Sequence, residues 1–123
     1  PKLFGINTIH PENTNYCVEG PIDSMFLDNA FAMAGSGLDP HQIPIDVSNT
    51  VFVYDNEPRN FQILKFMKKI IEGNHKIVVW PSDIKQKDIN DMVLAGLNPK
   101  EIIDTNTYSG LAAQLRFNKW KAI

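Results

Sequence analysis

The stretch VFVYDNEP, from Val51 to Pro58, decides the fold of this chain. Its first four residues form a continuous apolar run, which is typical of a strand buried on both faces of a sheet. The run ends in two carboxylates, Asp55 and Glu57, and in a proline that suits the first turn of a helix. A buried strand that leads directly into a helix is the repeating unit of a parallel α/β sheet. We therefore predict a strand with an acidic carboxyl end.

A second buried strand is predicted within NYCVEG, at residues 15–20, and it ends in the same way. Glu19 stands at its carboxyl end, before a Gly-Pro pair that favours a tight turn into a helix. In an open parallel sheet the carboxyl ends of the strands share one rim, where ligands bind. The acids Glu19, Asp55 and Glu57 would repel one another there unless a divalent cation lies between them. The pattern predicts a Mg²⁺-dependent phosphoryl site, because Mg²⁺ prefers oxygen ligands.

Apolar residues at helical spacing predict a helix after each of these strands. In residues 21–30 the buried face is expected to consist of Ile22, Met25 and Phe26. The helix that begins at Pro58 has a clearer stripe, and Gly73 supplies its end. That stripe comprises Ile63, Met67, Ile70 and Ile71.

Further strands and helices alternate along the chain. The apolar stretch at 30–34 predicts a short strand that ends in a Gly-Ser-Gly turn at 35–37, and residues 76–80 predict a buried strand. Helices are predicted at 88–97, from 98 and after 109. This alternation implies one α/β domain over residues 1–123, with a central, mostly parallel sheet flanked by helices.

The composition is that of an ordinary globular domain: 43% of the 123 residues are hydrophobic and 21% are charged. The formal net charge of −2 argues against a free-standing nucleic-acid-binding module, which usually has a basic surface. The single Cys17 cannot form an internal disulfide, so we expect it to be a buried apolar residue. The single cysteine favours a reducing setting inside the cell. No apolar run is long enough to span a membrane and no secretory signal begins the chain. The start at Pro1 suggests a fragment of a longer protein.

Four other charged residues have two open interpretations each. Asp88 has the position of a helix N-cap, and Asp91 three residues later gives a pattern like a capping box, but both could also serve the site. Asp23, one turn after Glu19, could stabilise the start of its own helix or act beside Glu19. Arg59, next to the acids, could hold a phosphate or form a structural salt bridge.

Taken in order, the acidic clusters resemble the Toprim domain, the catalytic module of bacterial-type primases, topoisomerases and some nucleases. That pattern has Glu-Gly after the first strand, Asp-x-Asp after a later strand and an Asp-rich turn before a following helix. The stretches VEGPIDSMF, VFVYDNEPR and KDINDMV are more narrowly similar to the DNA primases of T-even-like bacteriophages. The resemblance covers nearly the whole chain. Glu57 stands where the general pattern has Asp, and Asn90 stands where many primases carry an acid.

The resemblance implies a DNA primase, which makes short RNA primers on single-stranded DNA from ribonucleoside triphosphates, with Mg²⁺ or Mn²⁺ as cofactor and a replicative helicase as partner. The implied catalytic residues are Glu19, Asp55 and Glu57. The same three residues and Asp88 would hold the metal, and Asp23, Arg59, Lys87 and Asp91 would support the site. Such primases also have a zinc-binding domain and a basic subdomain outside this stretch, so we expect little primer synthesis from these residues alone. A phage-encoded primase would act in the cytoplasm of the host cell.

Three different functions remain open from the sequence. The first is that of another Toprim enzyme, a nuclease or a topoisomerase. The second is that of a flavodoxin-like receiver, which would have an Asp after its third strand and a Lys after its fifth. The third is that of a non-catalytic domain that docks a helicase through the basic C-terminal helix, which carries Arg116, Lys119 and Lys121.

Overall fold

The computed structural model describes residues 3–33 and 39–122, which form a five-stranded sheet flanked by helices. The strands are β1 (Asn15–Val18), β2 (Ala30–Ala32), β3 (Thr50–Val53), β4 (Lys76–Val78) and β5 (Thr107–Tyr108). The helices are α1 (Pro21–Ser24), α2 (Phe61–Glu72), α3 (Ile89–Leu94), α4 (Pro99–Thr105) and α5 (Gly110–Lys121). The predicted α/β class is confirmed, and the architecture is consistent with a Toprim fold.

The sheet has the strand order β2-β1-β3-β4-β5. The first four strands are parallel to their neighbours, whereas β5 pairs antiparallel with β4 at one edge. From β1 the chain crosses to β2 on one side and then returns to β3 on the other side. The order therefore reverses between β1 and β3, and a crevice forms outside the carboxyl ends of strands at such a point.

Strands β1 and β3 are buried along their whole length, as their continuous apolar runs predicted. They pair in register, with Val18 opposite Val53, so their carboxyl ends stop side by side. The expectation for Cys17 is confirmed, because its side chain has no exposed surface and burial raises the pKa of its thiol. The middle of the sheet therefore forms the core that supports the rim.

Helix α2 packs against the sheet through the predicted stripe, in which Ile63, Met67, Ile70 and Ile71 are all buried. The helix begins at Phe61 and not at Pro58. The reason is the side chain of Asn60, which accepts hydrogen bonds from the backbone N–H groups of Gln62 (3.0 Å) and Ile63 (3.3 Å) and caps the helix. Residues 55–59 therefore form a separate turn between β3 and α2.

The prediction of a long helix at 21–30 is wrong, because α1 has one turn only. The three apolar residues assigned to its buried face are exposed: Ile22 by 61%, Met25 by 75% and Phe26 by 41%. The inward-facing residues of α1 are polar, Asp23 and Ser24. The chain then turns at Asn29, whose φ of 57° is left-handed and precedes β2.

The remaining predictions hold with shorter bounds. The strand predicted at 76–80 ends at Val78, the helix predicted at 88–97 ends at Leu94, and both C-terminal helices are present. The predicted turn at 35–37 lies outside the described residues. Within the part of the chain that the structure describes, no helix has the length and apolar character needed to cross a membrane.

Candidate active site

Two predicted site residues meet where β1 and β3 end. Glu19 follows the last residue of β1, and its carboxylate accepts a hydrogen bond from the backbone N–H of Asp55, at 2.5 Å. The indole N–H of Trp80 donates to the carbonyl of Tyr54 at 2.8 Å and holds the end of β3 against the β4 side. The two acidic strand ends therefore lie together on the rim at which the strand order reverses, as the parallel sheet predicted.

Negative charge accumulates in this cluster. Burial is the largest cause that raises the pKa of Asp55 to about 8, and the negative charges of neighbouring acids add to it. Those neighbours are Glu19, Asp23, Asp88 and Glu57. Burial also raises the pKa of Glu19, against the hydrogen bonds that it forms with Asp55. Near neutral pH the cluster therefore retains a proton in the absence of a cation.

Asp23 links the acidic cluster at the end of β1, which contains Glu19, to the acidic cluster at the start of α3, which contains Asp88 and Asp91. Its carboxylate, on a residue only 8% exposed, accepts a hydrogen bond from the backbone N–H of Asn90 at 3.0 Å, in the first turn of α3. Burial raises the pKa of Asp23, the hydrogen bond from Asn90 lowers it, and the charges of Asp88 and Asp91 raise it again. The structure therefore shows a hydrogen bond from α3 to Asp23, and a role of Asp23 beside Glu19 stays a prediction.

The acidic cluster of Asp88 and Asp91 caps helix α3 and faces the other acids. Asp88 is the N-cap of α3, and its carboxylate accepts a hydrogen bond from the backbone N–H of Asp91 at 2.8 Å. The charge of Asp88 also raises the pKa of Asp23 and of Asp55, so its carboxylate lies close enough to act on both. The neighbouring Lys87 contributes its backbone carbonyl, which accepts the N–H of Asn56 at 2.6 Å.

Arg59 makes a contact at a distance from the acids. Its guanidinium donates to the backbone carbonyl of Lys121 at 2.9 Å, at the C-terminal end of α5. In residues 3–33 and 39–122, the two ion pairs are His10–Glu12 and Lys100–Asp104. No cationic side chain of the described residues therefore forms an ion pair with the cluster.

The sequence did not single out Asn56, which lies between Asp55 and Glu57. Its amide donates to the carbonyls of Ile84 (3.0 Å) and Gln86 (3.1 Å), and its amide oxygen accepts from the indole N–H of Trp120 (2.9 Å). The only local signal was a neutral polar residue between two acids. Its partners are 28 to 64 positions away, so no spacing rule could have found them.

The carboxylate oxygens on the rim suit a hard cation, but they do not form a complete set of ligands by themselves. Within the described ranges, 3–33 and 39–122, no group of three or more His, Cys, Asp or Glu side chains is arranged to hold a metal ion alone. Mg²⁺ seldom needs such a group, because it keeps several waters and binds through one or two carboxylates and substrate phosphates. The Glu19–Asp55 pair fits that mode, and it does not fit a closed tetrahedral zinc site.

The structure thus defines an α/β domain with a cluster of acidic residues at the switch point of its sheet. The chain is 35% identical over 127 aligned residues to the DNA primase of Enterobacteria phage T4. The alignment covers 99% of this chain and 36% of that primase, so the chain spans about a third of the length of its relative. No protein-family model matches the chain. The chain is therefore related to one part of a phage DNA primase.

Proposed function

We propose that this chain is the Toprim catalytic domain of a phage DNA primase, which joins ribonucleotides on a single-stranded DNA template with Mg²⁺ as cofactor. The observation that carries the proposal is the Glu19–Asp55 pair, two half-buried carboxyl groups at the β1/β3 switch point that form no ion pair within the described residues. Carboxyl groups with strongly raised pKa values in a crevice are typical of functional sites. The identity to a phage primase over 99% of the chain supports this assignment.

The chain's own residues would divide the work as follows. Glu19, Asp55 and Glu57 would bind the cation through their oxygens, and Asp88 would face it from α3. Glu19 would fix the backbone of Asp55 and could accept the proton of the attacking hydroxyl group. When bound, Mg²⁺ supplies positive charge that stabilises the attacking and leaving oxygens. In the proposed reaction a 3′-hydroxyl attacks the α-phosphate of the next ribonucleoside triphosphate, and pyrophosphate leaves.

The acidic rim alone would hold a DNA template poorly. The formal net charge of the chain is −2, and affinity for nucleic acid comes mainly from cationic contacts to phosphates. Template binding would then require cationic surfaces beyond this domain. We therefore propose that these 123 residues bind the cation but synthesise few primers by themselves.

The structure disfavours a flavodoxin-like receiver. Such a receiver would place a Lys after its fifth strand, but β5 is antiparallel here and Ser109 and Gly110 follow it. No described contact favours a nuclease, a topoisomerase or a helicase-docking domain over the primase. The relationship to a primase favours primer synthesis.

A chimera tests the proposal. In the T4 primase, the region that aligns with this chain would be replaced by the chain itself, and primer synthesis would be followed by incorporation of labelled ribonucleotides on single-stranded DNA. We expect synthesis by the chimera and a loss of at least about a hundredfold in its Asp55→Asn variant. Asp28→Asn, an exposed change outside the cluster, is the matched control. Equal synthesis by the Asp55→Asn chimera and the control would refute the proposed role.

A further inference from the structure

Asn56 uses every hydrogen-bonding group of its side chain. An asparagine amide has two N–H donors and one carbonyl acceptor. Both donors reach backbone carbonyls, of Ile84 at 3.0 Å and of Gln86 at 3.1 Å, and the acceptor receives the indole N–H of Trp120 at 2.9 Å. The backbone N–H of Asn56 adds a fourth bond, to the carbonyl of Lys87 at 2.6 Å. So many distant bonds on one residue mark it as a connection between elements.

These bonds connect the acidic turn after β3 to the acidic start of α3. The segment 84–87 leads directly into Asp88, the N-cap of α3, and Trp120 lies in α5. Asn56 therefore ties the approach to Asp88 to the turn that carries Asp55 and Glu57. On the other side of α3, the bond from Asn90 to Asp23 ties the first turn of the helix to α1. Between them, these two attachments fix where the carboxylate of Asp88 can lie.

We infer that Asn56 is a positioning residue, which sets the distance between Asp88 and the Asp55–Glu57 pair. This inference rests on the proposed function in one respect, namely that these carboxylates bind a divalent cation. Mutation of a residue that orients a metal ligand through a hydrogen bond typically costs about 10- to 100-fold in metal affinity. An amide serves here where a carboxylate could not, because an ionised carboxylate has no hydrogen to donate to the two backbone carbonyls.

Amide hydrogen exchange tests the structural half of the inference in the whole 123-residue chain. Asn56→Ala removes all three side-chain bonds, and Asn56→Asp keeps the size but removes both donors. We expect amides in residues 84–91 to exchange about tenfold faster in both variants, because the opened segment loses hydrogen bonds that hold it to the turn after β3. Asn56→Asp serves if Asn56→Ala does not fold.

Asn49 provides the matched control, at the opposite end of β3. Its amide also donates to two backbone carbonyls, of Pro11 at 3.1 Å and of Glu12 at 3.2 Å, far from the acidic rim. Asn49→Ala should therefore destabilise the chain by a similar amount but leave exchange in residues 84–91 as it is in the wild type.

Binding of Mn²⁺, followed by calorimetry, tests the functional half. We expect Asn56→Ala to weaken Mn²⁺ affinity about 10- to 100-fold and Asn49→Ala to leave it unchanged. If the wild type binds no Mn²⁺, the proposed function fails, and the exchange rates still decide whether Asn56 holds the segment. Wild-type exchange in both Asn56 variants, or wild-type Mn²⁺ affinity in Asn56→Ala, would overturn the inference.

Discussion

The carboxylate of Glu19 accepts a hydrogen bond from the backbone N–H of Asp55, across the ends of two parallel strands. The bond can form because β1 and β3 are paired with Val18 opposite Val53, which brings residues 36 positions apart to the same rim. It places two half-buried acidic side chains beside each other, and no cationic side chain of the described residues forms an ion pair with them. Such a pair is stable with a shared proton or with a bound cation, so both pH and metal should change the properties of the chain.

Without metal, the stability of the chain should fall as pH rises. Because the pKa of Asp55 is raised to about 8, above its usual value of about 4, the folded chain holds a proton that the unfolded chain has lost. The stabilisation from that proton is complete below pH 4 and disappears as pH passes 8. We therefore expect the Tm in a chelator to decrease from pH 5 to pH 8.5. Melting curves followed by circular dichroism measure this directly.

Asp55→Asn should remove most of that pH dependence, since the amide cannot ionise. At pH 8.5 the variant should be more stable than the wild type by about 1–2 kcal/mol, well below the full linkage value because the carboxyl group is partly solvated. Asp28→Asn, outside the cluster, should melt with the wild-type pH dependence. If the Tm of Asp55→Asn falls with pH as steeply as that of the wild type, the acidic cluster is not the source of the pH dependence.

Asp23→Ala should destabilise the chain by about 1–2 kcal/mol, because the backbone N–H of Asn90 then loses its partner. Asp23→Asn retains a carbonyl oxygen at the accepting position and should cost much less. Urea denaturation of the two variants measures the difference. Equal losses in both would indicate that the charge of Asp23, and not its hydrogen bond to α3, supports the fold.

Arg59→Ala should have a small effect on stability, within about 1 kcal/mol, because its bond to the carbonyl of Lys121 is exposed. We expect no change in Mn²⁺ affinity, since the guanidinium contacts α5 and not the acids. Calorimetry with Mn²⁺, with and without a ribonucleoside triphosphate, separates this role from phosphate binding. Weaker binding only when the triphosphate is present would favour the phosphate-holding interpretation.

The shortness of α1 can be tested on apolar residues that follow it, within the range 21–30 predicted to be helical. Met25→Ser should change the free energy of unfolding by less than about 0.5 kcal/mol, because the side chain is 75% exposed. Leu27→Ala, two residues later at a position only 7% exposed, should cost about 2–4 kcal/mol. A long helix packed on the sheet through Met25 would reverse that order in a denaturation experiment.

The sequence was sufficient to predict the structure wherever a single physical rule determines it. The continuous apolar runs in β1 and β3 predicted buried parallel strands, and the stripe from Ile63 to Ile71 predicted the buried face of α2. The convergence of Glu19 and Asp55 followed from parallel pairing, because the carboxyl ends of parallel strands share a rim. Their roles in metal binding and catalysis stay predictions.

Where hydrogen bonds between residues distant in sequence determine the structure, the local sequence pattern was not sufficient to predict it. The spacing of Ile22, Met25 and Phe26 suggested a buried helix face, but the hydrogen bond from Asn90 turns Asp23 inward instead. Strand β5 has two residues, too few for any periodicity, and only its pairing with β4 defines it. Asn56 could not be recognised either, because its partners belong to the loop before Asp88 and to α5.

Whether the Glu19–Asp55 pair binds a divalent cation can be decided by calorimetric titration of the wild-type chain with Mn²⁺ at pH 7.5, in buffers of different ionisation enthalpy. We expect a saturable site and the release of about one proton for each ion bound, because the cation replaces the proton held by Glu19 and Asp55. Asp55→Asn should weaken that binding at least about tenfold, and Asp28→Asn should not. Absence of saturable binding by the wild type, or equal binding by Asp55→Asn, would show that the pair is not a cation site.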